Sequence, residues 1–225
     1  MTPRSGAPAG APPRLVLASR SPARLATLRA AGVDPEVRVS EVDEDAVVAR
    51  YGVEDPSDVA LLLARAKAED VASTLAGEGL DGALVVGCDS VLDLDGRALG
   101  KPGTAEVARE RWREMRGRTG VLRTGHWLVD ARDTEDGGTG ASVGELSSTL
   151  VRFADLDDDE VDAYVATGEP LEVAGAFTVD GLGGAFVEGI DGDHHAVVGI
   201  GLPTLRRLVG QVGVPWHTLW RLRQG

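Results

Sequence analysis

Three groups of residues have the types and spacing to do chemistry. Ser19, Ser21 and Arg24 surround the turn Ser19-Arg20-Ser21-Pro22, and Pro22 stands where the first turn of a helix tolerates a residue without an N–H. A strand, a polar turn and a helix start make an anion site, because unpaired N–H groups and the helix dipole point at the turn. Asp89 closes an apolar run that reads as the end of a buried strand, and Lys101 follows twelve residues later in Gly100-Lys101-Pro102-Gly103. Glu44 lies in the acidic stretch Glu41–Asp45, which reads as a loop.

Each feature has a plainer reading on its own. Ser-x-Ser-Pro is a common loop signature, a Gly-Lys-Pro turn is usually surface, and an acidic run is usually a solvated face. The combination is more informative. Arg, Lys and hydroxyl groups stabilise the charge on a phosphate leaving group, and Mg²⁺ or Mn²⁺ uses one or two carboxylates together with phosphate oxygens and water. A further carboxylate can orient or deprotonate an attacking water. The pattern predicts a soluble enzyme that cleaves a polyphosphate.

The elements that must position these residues are legible as alternating strands and helices. Leu15–Ala18 reads as a buried strand, and Ala23–Ala31 as a helix stopped by Gly32. Val37 and Val39 suggest a second strand, and Val59–Leu75 a longer helix carrying Lys67. Ala83–Val86 reads as a strand ending in Gly87-Cys88-Asp89-Ser90, and Val91–Leu94 with the turn Asp95-Gly96 as a hairpin leading to Ala98-Leu99. Thr104 caps a helix over Ala105–Met115. Val121–Val129 and Ser147–Phe153 pair as strands across the flexible connection Asp133–Ser142, and Asp157–Glu160 opens a helix ending near Thr167-Gly168. A close-packed loop over Ala174–Gly184, a short strand from Phe186-Val187 and a helix over Leu202–Val212 complete the chain. His194 and His195 beside Asp193 read as a solvated turn rather than a metal site. The hairpin signals in the middle predict a mixed sheet rather than a purely parallel one.

The whole chain sets outer bounds. With 225 residues, 43% of them hydrophobic, it can bury a full core, and with only 4% aromatics that core must be aliphatic. A formal charge of −13 argues against binding a nucleic acid polymer, whose phosphates it would repel. The single cysteine, Cys88, fits a reducing compartment, and no apolar run approaches the ~20 residues of a membrane span. Residues 1–13 read as a disordered extension rather than a signal peptide, so the cytoplasm is the expected location.

In sequence order, the motifs resemble those of the Maf nucleotide pyrophosphatases, relatives of the inosine triphosphatase group. Ala18-Ser19-Arg20-Ser21-Pro22-Ala23-Arg24, Ser40-Glu41-Val42-Asp43-Glu44, Lys67-Ala68, Gly87-Cys88-Asp89-Ser90 and Leu99-Gly100-Lys101-Pro102 match it in turn. Gly117-Arg118-Thr119, Thr124-Gly125, Tyr164–Pro170, Ala174–Phe177, Gly181–Gly184, Phe186–Glu188 and Val197–Gly199 continue the series, over about residues 14–212. The resemblance implies an α/β fold, a long bent mixed sheet flanked by helices, with two lobes of one catalytic domain (residues 14–225) around a central cleft. It implies hydrolysis of a nucleoside triphosphate, such as dTTP, UTP or a modified nucleotide, to the monophosphate and pyrophosphate with a divalent metal, Mg²⁺ or Mn²⁺. Asp89 would activate water and, with Glu44, hold the metal. Ser19, Arg24, Lys67 and Lys101 would hold the triphosphate, and Asp180 would contact substrate. A homodimer and a role in removing non-standard nucleotides or arresting division are implied as well. Departures are Ala23 for the first Arg of a pair, Ser90 for Thr, Asp180 for Gln and Ala196 for Asn. Two other readings stay open: a nucleotide-binding regulatory protein with little turnover, and an unrelated α/β phosphatase or transferase acting on a sugar nucleotide.

Overall fold

The computed structural model describes residues 13–80 and 82–221; the expected extension 1–13 lies, except for Pro13, outside them. One mixed sheet of seven strands organises the described residues. Its strands are β1 (Arg14–Ala18), β2 (Glu36–Arg38), β3 (Ala83–Leu94), β4 (Arg97–Leu99), β5 (Thr119–Ala131), β6 (Ser142–Phe153) and β7 (Val187–Asp191). The order is β2-β1-β3-β5-β6-β7, with β4 also on β3. Strands β2 and β3 run parallel to β1, whereas β3, β5, β6 and β7 are antiparallel neighbours. The mixed sheet expected from the hairpin signals is therefore present.

Among the described residues seven α-helices flank it: α1 (Pro22–Ala30), α2 (Glu44–Tyr51), α3 (Pro56–Gly77), α4 (Ala105–Met115), α5 (Asp158–Ala166), α6 (His194–Val198) and α7 (Leu202–Gln211). Side-chain caps account for the starts of all but α7. Ser21, Asp43, Asp55, Thr104 and Asp157 each accept a backbone N–H of the first turn, and Asp157 with Glu160 forms a reciprocal capping box.

Strand β3 is the spine, and its period-two alternation sorts its neighbours. Its even-numbered residues face two apolar clusters. Leu84, Val86 and Cys88 pack with β1, α1 and α7, while Leu92 and Leu94 pack with Trp112, Met115, Phe153 and Tyr164. Ser90 separates the two, so one strand serves a core at each end. The second core is the aromatic one, with Trp112 edge-on to Phe153, Tyr164 and Phe186.

The odd-numbered face of β3 is covered along its length by α3. Val71 and Leu75 meet Ala83 and Val85 at one end, and Val59, Ala60 and Leu63 meet Val91 at the other. Between them the helix lies unusually close. A Cβ at Gly87 would collide with the Ala64 carbonyl, and one at Gly125, which pairs with Asp89 from β5, with the Ala60 carbonyl. Only glycine allows this approach.

Three expectations are corrected. Asp89 does not end a strand: β3 continues unbroken from Ala83 to Leu94, because β5 pairs with it from Ala83 to Asp93. Glu44 is not in a loop but opens α2, a short helix with no fully buried residue, in which only Val47 and Val48 pack partly against the core. His194 and His195 begin the short helix α6, capped by Asp193, rather than a turn.

Candidate active site

The sheet has a gap, and the candidate residues gather at it. Along one edge of β3, strand β1 pairs as far as Val86 and strand β4 takes over only at Leu92. Among the described residues, Gly87 to Val91 therefore have no strand partner on that edge, while β5 covers the other. The C-termini of β1 and β4 arrive at this gap from opposite directions. The turn Ser19–Ser21 leaves one and the loop Gly100–Pro102 leaves the other.

Each loop is held from behind. Ser19 Oγ accepts hydrogen bonds from the Ser21 N–H at 3.1 Å and from Arg24 Nη1 at 3.2 Å. Arg24 also donates from Nε to the Gly199 carbonyl at 2.8 Å and from Nη2 to Ser90 Oγ at 3.5 Å. The Gly100 carbonyl accepts from the Gly175 N–H and from the Arg111 guanidinium, and the Gly103 N–H donates to the Leu171 carbonyl. Lys101 is thereby displayed on a tethered loop; it is exposed and makes no ion pair among the described residues.

The charged centre lies on the α3 side. Lys67 falls on the buried stripe of α3, in step with Ala60, Leu63, Ala64, Ala68 and Val71. Its ammonium meets Asp89 Oδ1 at 2.5 Å and Glu44 Oε1 at 2.7 Å. The side chains of Lys67 and Asp89 are only 12% and 10% exposed, which makes their attraction strong and the loss of either partner costly. Glu44 is 46% exposed and forms the open rim.

Electrostatics separates the two carboxylates. Burial pushes Asp89 above the ordinary carboxylate range; Lys67 and Arg24 oppose the rise and Glu44 adds to it. Burial also pushes Glu44 upward, but its hydrogen bond to Lys67 and the charges of Lys67, Lys101 and Arg24 outweigh it, and Glu44 ends below its usual value. One carboxyl is thus tuned toward proton acceptance and the other toward permanent charge. The same interactions show that Arg24, Lys67 and Lys101 all act on Glu44. Five of the expected site residues therefore converge, with Ser19 anchoring Arg24.

The seventh expected residue is not drawn in. Asp180 is exposed, and no hydrogen bond or ion pair among the described residues ties it to this cluster. Other members were missed in the sequence. Ser90 holds Arg24 and shares a hydrogen bond with the buried Thr124 at 3.0 Å, while Gly87 and Gly125 admit α3. Two glycines at alternate-face positions of apolar strands were the available signal. Cys88 points to the opposite face, where burial pushes its thiol up to about 12, so it is no nucleophile.

Comparison with known proteins settles the family. The model of the Maf-like protein family matches residues 14–212. The chain belongs to the Maf family. A nucleoside triphosphate pyrophosphatase of Streptomyces avermitilis is 56% identical over 211 residues, spanning 94% of this chain and 96% of that one. One from Rhodococcus opacus is 56% identical over 209 residues, spanning 91% and 95%, and one from Leifsonia xyli 54% over 211 residues, spanning 92% and 96%. A solved dITP/XTP pyrophosphatase from Mycobacterium abscessus is 20% identical over 64% of this chain and 75% of its own, with a TM-score of 0.35, too distant to bear on the site.

The donor set bears on a metal. Among the described residues, no group of three or more His, Cys, Asp or Glu side chains could enclose an ion. Glu44 Oε1 and Asp89 Oδ1 nevertheless converge on a single cation, the Lys67 ammonium. One buried carboxylate and one at the open rim fit a hard divalent ion that takes its remaining ligands from phosphate and water.

Proposed function

We propose that this Maf-family chain is a nucleoside triphosphate pyrophosphatase: water attacks the α-phosphorus, the bond from that phosphorus to the α–β bridging oxygen breaks, and the monophosphate and pyrophosphate leave. The observation that carries the reading is the buried Asp89 carboxylate at the gap in the sheet edge, ion-paired to Lys67 and ringed by Glu44, Arg24 and Lys101. The names of the relatives support the same reaction.

In this reading Arg24, in the first turn of α1, and Lys101, on the loop at the other end of the gap, hold the polyphosphate oxygens. The Ser19 and Ser90 hydroxyls and the Gly199 carbonyl orient the Arg24 guanidinium before substrate arrives, so little ordering is left for the reaction itself. Asp89 takes a proton from the attacking water; its Oδ1 is held by Lys67, and its raised pKa makes it a better acceptor than an ordinary carboxylate. Glu44 and Asp89 would hold Mg²⁺ or Mn²⁺, which supplies charge neutralisation at the phosphate oxygens when bound. A preference for pyrimidine or modified nucleotides, with Asp180 contacting substrate, rests on the family resemblance. So do homodimerisation, a cytoplasmic location and a part in clearing non-standard nucleotides or arresting division.

The test is product analysis with Mg²⁺ or Mn²⁺ over a panel of canonical and modified triphosphates. Pyrophosphate is the expected product, and Asp89→Asn is expected to lower kcat by roughly 10²–10⁴-fold, the usual contribution of a general base, with nucleotide still bound. Orthophosphate as the product would refute the reading, and tight binding by wild type without turnover would favour a regulatory role.

A further inference from the structure

Three polar side chains on the sheet face opposite α3 are completely buried: Thr124 and His126 on β5 and Thr149 on β6. Alternation puts the first two on one face, and the pairing of Leu122 with Thr149 puts the third beside them. All three hold one segment, Asp193–Gly201. Thr149 Oγ1 accepts from the Asp193 N–H at 3.1 Å, Thr124 Oγ1 donates to the Ala196 carbonyl at 2.9 Å, and His126 Nε2 accepts from the Gly201 N–H at 2.7 Å. The same segment supplies the Gly199 carbonyl that receives Arg24 Nε at 2.8 Å.

His126 is a costly residue for packing alone. A ring nitrogen that accepts a backbone N–H carries no proton, so the imidazole is neutral with its hydrogen on Nδ1. That Nδ1 makes no hydrogen bond of good geometry among the described residues. A buried donor left unpaired costs on the order of 1–3 kcal/mol, and a leucine would fill the space without that cost. What the leucine lacks is the acceptor for Gly201, two residues from the carbonyl that grips Arg24.

We propose that His126 is a positioning residue for Arg24: by holding the Gly201 N–H it fixes the Gly199 carbonyl, which aims the guanidinium at the triphosphate. The proposal rests on reading the gap as a polyphosphate site. It assigns a role at the site to a side chain on the opposite face of the sheet, one that touches none of the substrate-binding groups itself.

The test compares wild type, His126→Gln, His126→Leu, His126→Asn, Arg24→Ala and the His126→Leu/Arg24→Ala double variant, all as full chains. Two quantities are measured: affinity for a non-hydrolysable nucleoside triphosphate analogue, and KM and kcat for pyrophosphate release. His126→Leu and His126→Asn are expected to weaken analogue binding and raise KM about tenfold, the scale of one well-aimed charged hydrogen bond, with kcat changed much less. Gln, whose side-chain oxygen can reach the position of Nε2, restores both. In the Arg24→Ala background the Leu substitution has little further effect, since the two residues act as one unit. A full penalty in that background, equal harm from Gln and Leu, or unaltered affinity in Leu and Asn would overturn the proposal. Where the Leu variant does not fold, the Asn and Gln variants decide it. A wild type that binds the analogue without releasing pyrophosphate overturns the turnover reading while the affinity comparison still decides this one. A wild type that binds no triphosphate overturns both.

Discussion

At the residue scale, Asp89 and Lys67 are interdependent. The carboxylate is buried in a position where it would protonate if left alone, and the ammonium is buried where it would be costly without a counter-ion. Burial raises the Asp89 pKa and the Lys67 charge restrains the rise. A base must be deprotonated to act, so activity falls as pH drops through that raised value. Lys67→Met removes the restraint. The acid limb of the kcat/KM profile should therefore move to higher pH in this variant, whatever happens to the rate at its plateau. A limb that stays in place would mean that Lys67 does not set the charge state of Asp89. Position 67 was partly legible: its place on the apolar stripe of α3 is a matter of helical spacing, but its meaning came from the family motif. Glu44 was legible as a carboxylate in an acidic stretch, but its metal role came from the family motif, and its helix was missed because eight mostly exposed residues leave little periodic trace.

At the element scale, the distance between α3 and the sheet decides whether Lys67 reaches Asp89. Gly87 and Gly125 set that distance by letting helix backbone sit where side chains would stand. Gly125→Ala forces α3 outward or bends β5; a loss of about 1–3 kcal/mol in unfolding free energy is expected, the usual range for overpacking. The same displacement lengthens the Lys67–Asp89 contact, so kcat should fall together with stability, and a denaturant titration beside a rate measurement checks both. An alanine variant of wild-type stability and rate would show that the close approach is unimportant. Much of this level was readable in advance. Helix α4 begins and ends at Ala105 and Met115 as its cap predicts, and the hairpin turn at Asp95-Gly96 stands where the dipeptide predicts it, both residues with positive φ. The break placed after Asp89 was wrong because a polar residue in an apolar run looks like an ending. Pairing with β5, which the run itself does not reveal, carries the strand onward.

At the scale of the whole molecule, buried polar groups link folding to pH. Burial, then the charge of Arg24, lowers the His126 pKa from 6.5 to about 4, with Asp193 opposing. Between these values the unfolded chain binds a proton that the folded chain refuses, so stability falls as pH drops from 6.5 toward 4 and the loss levels off below. The shift corresponds to on the order of 3 kcal/mol. Asp89, with its raised pKa, works in the opposite direction, because there the folded chain binds a proton more readily than the unfolded one. The contribution of His126 is therefore best read as a difference: the wild-type unfolding free energy should decline more steeply on acidification to pH 5 than that of His126→Gln. Parallel curves would contradict the lowered pKa. Sequence alone determined the alternation of strands and helices, the mixed character of the sheet and, through ordered motifs, the family, because these rest on short-range periodicity, caps and turn chemistry. Tertiary structure decided where β1 stops and β4 starts along β3. That choice depends on pairing between segments far apart in the chain, and it leaves the unpaired edge at which Arg24, Glu44, Lys67, Asp89 and Lys101 meet.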